Sequence, residues 1–317
     1  MTVATGDVLR ADDGRMRLGW RLLLFVIVAW GVLLVVVTVL PPGILAVSTA
    51  MLVGGLVAGW LLLVGDGRRP GALGFHADRI AAAETARGLG LGAALGVVVV
   101  AAIALLGGLR WSGQGGTLAG WTVGGLEALL FLAIPAAAEE ALLRGYPLQA
   151  IAEAWGALTA LLITSVTFGA LHLANPGVTT IGLLNVTAAG IFLGVVYLKT
   201  ASLWCATGAH LGWNWSHGYL ADVPVSGLEL LDAPLYEGAA RGPDWLGGGA
   251  FGPEGSAVAT ALVLGAAALC WRGNWLRPGS AALATAPLAF AIEPRALASS
   301  GTGARPPHES NQHGANE

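Results

Sequence analysis

The segment that decides the fold reads LEALLFLAIPAAAEEALLRGYPLQA, residues 126–150. An apolar run, 128–138, leads directly into a short charged group made of Glu139, Glu140 and Arg144. Charged residues inside an apolar helix are costly in lipid, and they usually face the interior of a helix bundle, where they mark a site. The segment therefore predicts a membrane helix that carries a functional site.

The composition of the whole chain agrees with a membrane setting. Of 317 residues, 55% are hydrophobic and only 11% are charged, whereas soluble domains carry about 25% charged residues. Membrane lipid is therefore the expected surroundings of most of the chain. The net charge is -3 and there is no long basic run, which argues against nucleic acid as a partner.

A helix needs roughly 20 mostly apolar residues to cross a bilayer. Eight segments meet that test approximately: 20–40, 44–64, 86–107, 121–150, 157–174, 179–198, 201–220 and 256–272. The predicted fold class is an all-α polytopic membrane protein with eight transmembrane helices. The glycines at four-residue spacing, Gly88, Gly92 and Gly96, predict close packing against another helix, and the alternative is that lipid merely tolerates them.

The distribution of Lys and Arg predicts the orientation, because these residues collect on the cytoplasmic side. They cluster before the first span, in the connection after the second, and after the last. Both termini are therefore expected in the cytoplasm, with the protein spanning the cell membrane several times. The predicted parts are a cytoplasmic segment 1–19, a transmembrane domain 20–277 with its core motifs in 121–220, and a disordered cytoplasmic tail 278–317. The acidic connection 221–255 is predicted to be an irregular external loop.

Three polar sets lie on separate predicted spans. Residues four apart share a helix face, which pairs Glu140 with Arg144 and leaves Glu139 about 100° away, free of the arginine. The same spacing joins Phe168 to His172 and His210 to Asn214. At a rise of 1.5 Å per residue, Glu139, His172, His210 and Asn214 lie roughly 14–22 Å from the predicted cytoplasmic helix ends. We therefore expect these four side chains to meet at one level.

Such a set has two chemical interpretations. In the first, Glu139 acts as general base toward water, a histidine assists it, and His210 with Asn214 donates to an oxyanion. In the second, Glu139, His172 and His210 bind Zn²⁺ and leave the fourth position for water. The helical zinc-protease motif H-E-x-x-H is absent, and the sequence leaves both interpretations open.

The ordered motifs resemble those of the CPBP intramembrane proteases. This family includes the type II CAAX prenyl endopeptidases, or Ras-converting enzyme group, and bacteriocin-processing relatives. Its pattern is E-E-x-x-x-R, F-x-x-x-H and H-x-x-x-N, which Glu139-Glu140…Arg144, Phe168…His172 and His210…Asn214 match in order. The resemblance covers roughly residues 121–220.

The resemblance implies an intramembrane endopeptidase with a cavity open toward the cytoplasm and a membrane-associated protein or peptide as its substrate. It implies that Glu139 activates the water, that His172 assists, that His210 and Asn214 stabilise the oxyanion, and that Arg144 holds Glu140. Members are often labelled metalloproteases, and a metal-independent glutamate scheme is also proposed for the fold. Two other functions remain open: a non-catalytic immunity or scaffold protein, and a proton-coupled transporter.

Overall fold

The computed structural model describes residues 8–11 and 14–290, which are mostly helical. Its helices are α1 Leu18–Val39, α2 Ile44–Gly65, α3 Ala81–Leu105, α4 Leu118–Glu140, α5 Tyr146–Trp155, α6 Ala157–Leu171, α7 Thr180–Thr200, α8 Leu203–Trp215, α9 Asp244–Gly247, α10 Ala257–Arg272 and α11 Ser280–Ala284. Its strands are β1 Leu109–Gly113 and β2 Tyr236–Ala240. Residues 1–7 of the predicted N-terminal segment and 291–317 of the predicted tail lie outside the described residues.

Local sequence explains several helix ends. Four helices begin at a hydroxyl residue whose side chain accepts the backbone N–H three residues on, which satisfies a donor that the helix leaves unpaired. These residues are Thr117 before α4, Thr179 before α7, Ser202 before α8 and Ser256 before α10. Helix α1 ends at Val39, just before Pro41-Pro42, because the residue preceding a proline disfavours the helical conformation.

Within the described residues, four helices are long and apolar enough to cross a membrane: α1, α2, α3 and α7. Helices α6 and α10 are apolar but have 15 and 16 residues, fewer than the roughly 20 that a full crossing needs. The apolar helices indicate a membrane protein. Eight crossings with both termini in the cytoplasm stay a prediction.

The predicted span 121–150 is wrong as a single helix. Helix α4 ends at Glu140, a wide π-helical turn follows over Ala141–Gly145, and α5 then begins at Tyr146. Pro147 is tolerated at the second position of α5 because the first-turn N–H groups have no helical partner there. A second π turn, Ser216–Leu220, extends α8. Such turns are often found at functional sites.

Helices α3 and α8 pack closely through glycine, which confirms the predicted packing role. A Cβ added at Gly88 would lie 2.0 Å from the Cys205 carbonyl oxygen, and one added at Gly92 would lie 1.8 Å from the Ala209 carbonyl oxygen. On α8, Gly208 and Gly212 approach the backbone of α3 in the same way. This backbone-to-backbone contact fixes α8, which carries two predicted site residues, against α3.

The segment 221–255 is more ordered than predicted. Strand β2 pairs antiparallel with β1, in a register from Leu109 opposite Ala240 to Gly113 opposite Tyr236. Helix α9 and two 3₁₀ turns, Gly249–Phe251 and Pro253–Gly255, complete the segment. The fold is therefore mostly helical, with one two-stranded ribbon that the all-α prediction omitted because each strand has only five residues.

A network of charged residues joins α1, α2 and α5 at the end of the bundle where α1 begins and α2 ends. Arg21 donates to the Tyr146 hydroxyl at 2.6 Å, to Asp66 at 2.6 Å and to Glu153 at 3.2 Å. Tyr146 in turn donates to Asp66 at 2.7 Å. Because Arg21 is 4% exposed, these bonds supply partners that a buried guanidinium requires.

The first part of the predicted disordered tail is folded. Helix α11 and a 3₁₀ turn, Leu288–Phe290, follow α10. Leu288 is fully buried against α5, and its N–H donates to the Gln149 side chain at 2.9 Å. The sequence signal was missed because one apolar side chain and one long-range hydrogen bond leave no period in a segment rich in Ala and Pro.

Candidate active site

Glu140 and Arg144 form the predicted ion pair, across the π turn that follows α4. Arg144 Nη1 lies 3.0 Å from Glu140 Oε1, and both side chains are fully buried. Arg144 Nη2 donates to the Gly190 carbonyl of α7 at 3.0 Å. The pair thereby fastens the end of α4 to the middle of α7.

His210 joins this pair, a contact that the sequence did not predict. Its Nδ1 lies 2.9 Å from Glu140 Oε1. A carboxylate accepts hydrogen bonds and does not donate them, so Nδ1 carries the proton. The other ring nitrogen, Nε2, lies 3.9 Å from Glu139 Oε2. Glu140 therefore holds the proton on Nδ1 and fixes the direction of the ring, whose Nε2 faces Glu139.

Glu139 is the more open of the two carboxylates. Its side chain is 26% exposed, whereas that of Glu140 is fully buried. Glu139 Oε2 is buried and has no hydrogen-bond partner among the residues that the structure describes. The distance of 3.9 Å to His210 Nε2 is too long for a direct hydrogen bond, and a bridging water fits such a separation.

His172 does not continue α6 but caps its end. Its backbone N–H donates to the Gly169 carbonyl at 3.0 Å, and its Nδ1 lies 2.8 Å from the Phe168 carbonyl oxygen. Since a carbonyl only accepts, Nδ1 carries the proton and Nε2 of the neutral ring is left as an acceptor. The helix end thus sets the tautomer of His172.

Phe168 packs against both histidines and against the arginine. Its ring centroid lies 4.8 Å from that of His172 and 5.8 Å from that of His210. The Arg144 guanidinium carbon is 4.5 Å from the same ring centroid, a cation–π distance. One aromatic ring therefore contacts three of the predicted site residues.

A cavity of about 330 Å³ brings the four predicted catalytic residues to one space. Glu139, His172, His210 and Asn214 all line it, together with Phe168. Glu140 and Arg144 lie behind this wall. The expectation that three separate segments deliver polar groups to one level therefore agrees with their placement.

Sequence reasoning missed Glu254, which also lines the cavity. Its Oε1 accepts Trp213 Nε1–H at 2.6 Å, and its Oε2 accepts the Ser226 N–H at 2.7 Å and the Ser226 hydroxyl at 2.5 Å. Asn185 of α7 donates to the Glu254 carbonyl at 2.7 Å. One acidic residue in an acidic segment carried no distinguishing signal, because its partners are distant in sequence.

The residues proposed as Zn²⁺ ligands do not form a ligand set. Within the described residues, no group of three His, Cys, Asp or Glu side chains is placed to hold a metal ion. In the site, His210 Nδ1 is directed to Glu140 and His172 Nδ1 to a backbone carbonyl. Both bonds leave Nε2 free, an arrangement that histidines use for hydrogen bonding and for metal ligation alike, so the zinc interpretation stays a prediction.

Comparison with known families agrees with the motif resemblance. Residues 121–216 match the family described as type II CAAX prenyl endopeptidase Rce1-like. This match confirms the resemblance to the CPBP proteases and includes all the predicted site residues. The family description supports a protease, and therefore a hydrolase, of the intramembrane class. No curated protein and no solved structure matches the chain.

Proposed function

We propose that this protein is an intramembrane endopeptidase that hydrolyses a peptide bond of a membrane-associated protein or peptide. The observation that carries the proposal is the division of labour between adjacent carboxylates. Arg144 and His210 both bond Oε1 of the fully buried Glu140, whereas Glu139 lines the cavity with a side chain that is 26% exposed. A partly exposed carboxylate that lines a cavity is suited to accept a proton from water.

The histidines and the asparagine have complementary roles in this proposal. His172 Nε2 accepts a hydrogen bond from the attacking water and orients it. His210, protonated on both nitrogens, donates from Nε2 to the oxygen of the tetrahedral intermediate, and Asn214 donates from its side-chain amide. Donors placed where negative charge develops are usually the largest catalytic contribution.

Charge balance supports a protonated His210. Glu139 and Glu140 bring two negative charges into the bundle, and Arg144 brings one positive charge. A protonated His210 makes these four residues neutral together, which avoids the large cost of a buried unpaired charge. The third buried carboxylate, Glu254, is held separately by donors from Trp213 and Ser226. When Glu139 takes a proton from water, the same His210 offsets the charge that develops on the substrate oxygen.

Cleavage by the purified protein in lipid vesicles tests the proposal. Wild type is expected to cut members of a mixed library of apolar peptides, detected by mass spectrometry, and Glu139→Gln is expected to lose at least 100-fold of the rate because the base is gone. Glu127→Gln changes an exposed glutamate of the same helix and serves as the matched control. Equal cleavage by wild type and Glu139→Gln contradicts the assignment.

The metal-independent mechanism has its own test. Cleavage by wild type is expected to change less than twofold after dialysis against EDTA or 1,10-phenanthroline, since Glu139 activates water without a metal. Metal analysis of the same sample is expected to show far less than one zinc per chain. Loss of activity on chelation with recovery on adding Zn²⁺ would favour the zinc interpretation instead.

A further inference from the structure

The bundle has two ends that differ in charge. The first, here called the basic end, joins the start of α1, the connection 66–80, the residues around 156 and 201, and the segment 273–290. Its basic residues are Arg10, Arg15, Arg17, Arg21, Arg68, Arg69, Arg79, Arg87, Lys199, Arg272 and Arg277. The second, here called the loop end, joins the connections 40–43, 106–117, 172–179 and 216–256. It has only Arg110 and Arg241, against the acidic residues of 221–255.

Contacts confirm that these connections meet in two groups. At the basic end, Arg21 bonds Asp66 and Glu153, and the Leu203 N–H donates to the Gly74 carbonyl at 3.0 Å. At the loop end, Asn175 donates to the Ser226 carbonyl at 2.9 Å. Trp111 also bonds the Ala221 carbonyl there, at 2.8 Å. These bonds join the start of α1 to the connection 66–80 at one end, and the connections 106–117 and 172–179 to the segment 216–256 at the other.

The cavity extends from the site toward the loop end. Beyond the site residues, it is lined by Ile44, Val47 and Met51 in the first two turns of α2, and by Asn175 after α6. Val225, Ser226, Leu228 and Leu230 of the loop end line it as well. Among the described residues, none from the connections of the basic end lines the cavity.

Packed side chains close the path from the site to the basic end. Tyr146 lies seven residues after Glu139, and Leu203 lies seven residues before His210, which is about 10 Å along each helix. Tyr146, Leu148, Leu203, Leu63 and Leu73 are essentially inaccessible to solvent and belong to one apolar cluster. A peptide from the basic end would have to displace this cluster to reach Glu139.

The mouth and the lining indicate what the cavity receives. Ile44, Val47 and Leu171 line it and are 38%, 44% and 58% exposed, so it opens sideways between α2 and α6. The lining is mostly apolar and includes no Lys or Arg. Two carboxylates, Glu139 and Glu254, line it and would repel a chain-terminal carboxylate or a lipid phosphate, so the cavity suits an uncharged apolar segment.

We propose that the site receives an internal, apolar peptide segment from the non-cytoplasmic half of the membrane, through the opening between α2 and α6. The inference rests on the proposed endopeptidase function. It adds the side of the membrane from which the substrate enters and the chemical class of the substrate. The concentration of Lys and Arg places the basic end in the cytoplasm. The resemblance implied a cavity that opens toward the cytoplasm. That expectation is incompatible with the orientation predicted from charge, and we follow the charge distribution.

Thiol labelling measures the side of access without requiring cleavage. The background carries Cys205→Ala and Cys270→Ala, which remove both buried cysteines, together with Glu139→Gln so that no peptide is consumed. Single cysteines are placed in the cavity as Met51→Cys and, separately, Leu228→Cys. Ser112→Cys on β1 marks the loop end, and Ala77→Cys in the connection 66–80 marks the basic end. Intact cells and inverted membrane vesicles are treated with a membrane-impermeant maleimide.

The proposal predicts that both cavity cysteines label at least 10-fold faster in intact cells than in inverted vesicles, as Ser112→Cys does, and that Ala77→Cys shows the reverse. Labelling of the cavity cysteines from the side that labels Ala77→Cys overturns it, and so does labelling from neither side. Because thiol labelling requires no cleavage, these results do not depend on the proposed function, whose failure would show as missing cleavage by the wild-type protein.

A protection arm tests the substrate class. An acetylated and amidated apolar peptide, added outside intact cells, is expected to slow labelling of Leu228→Cys at least threefold. A peptide of equal length with acidic residues and a free carboxylate is expected to leave the rate unchanged. Equal protection by both peptides, better protection by the acidic one, or protection by neither contradicts the substrate class.

Discussion

At the scale of single residues, the site depends on the unequal burial of two adjacent carboxylates. Glu140 is fully buried and bonded to both Arg144 and His210, whereas Glu139 reaches the cavity. We therefore propose that Glu140 contributes mainly to stability and Glu139 mainly to chemistry. Adjacent residues on a helix point about 100° apart, which allows this separation within two positions.

The first prediction compares these two residues by conservative substitution. Glu140→Gln leaves the Arg144 guanidinium buried without its counter-ion and is expected to lower stability by about 3–5 kcal/mol. Glu139→Gln removes a partly exposed carboxylate and is expected to change stability by less than about 1 kcal/mol. Thermal unfolding in detergent measures both. Equal destabilisation by the two variants would contradict the division of roles.

At the scale of elements, the position of α8 decides whether His210 reaches Glu140 and Glu139. Glycines on α3 and α8 let the two backbones touch, and Glu254 binds Trp213 of α8 to the segment 216–256. The loop end and the helix are thus fixed to each other. Substitutions in these contacts, far from Glu139, are therefore expected to alter the cleavage rate.

The second prediction concerns the contact between α3 and α8. A Cβ at Gly92 would lie 1.8 Å from the Ala209 carbonyl oxygen, and one at Gly90 on the same helix would meet nothing within 4 Å. Gly92→Ala is expected to lower stability by about 1–3 kcal/mol through overpacking and to reduce cleavage by displacing His210. Gly90→Ala is the matched control. A Gly92→Ala protein with the melting temperature and activity of Gly90→Ala would refute this packing argument.

The third prediction concerns Glu254. Glu254→Ala leaves the donors of Trp213 and Ser226 without their acceptor, and each lost bond to a carboxylate costs about 1.5–3 kcal/mol. The segment 221–256 is expected to become several-fold more sensitive to added protease in reconstituted vesicles. Glu229→Ala changes an exposed glutamate of the same segment and should leave the sensitivity of the segment to added protease unchanged. Unaltered sensitivity of Glu254→Ala would show that this carboxylate does not hold the segment.

How far the sequence predicted each part depends on the range of the interactions involved. Apolar runs placed most helices within a few residues, and four-residue spacing predicted the Glu140–Arg144 pair, because both are local. The bond from His210 to Glu140 joins residues 70 apart, and the Glu254 contacts with Trp213 and Ser226 are also long-range. Such contacts depend on how helices pack, and no local period encodes them. The π turn after Glu140 is missed for a different reason. It differs from an α-helix by one inserted residue, which is too small a change to alter the apolar pattern.

At the scale of the whole molecule, charge separates the bundle into a basic end and an acidic loop end, with the cavity opening toward the latter. The site therefore lies between a packed apolar seal and a cover made by residues 221–256. Under the proposed function, this arrangement would admit water and peptide to Glu139 from the loop end alone. It also gives the segment 221–256 a functional position that its irregular sequence did not suggest.

The fourth prediction concerns the number of crossings. If the short helices α6 and α10 also cross, reporter insertions in the connections 66–80 and 200–202 lie in the cytoplasm and those in 106–117, 172–179 and 241–243 lie outside. Paired reporters, one active only in the cytoplasm and one only outside, measure this. An insertion at 172–179 that reports the cytoplasm would show that α6 re-enters instead of crossing.

The central claim is that Glu139 makes this protein a protease, and profiling of protein termini tests it most directly. Membrane fractions are compared from cells that express wild type, Glu139→Gln or the Glu127→Gln control at matched levels. The account predicts new peptide termini, within or beside apolar segments, that appear with wild type and with Glu127→Gln but are absent with Glu139→Gln. Identical profiles for all three would contradict proteolysis and favour a non-catalytic role in the membrane.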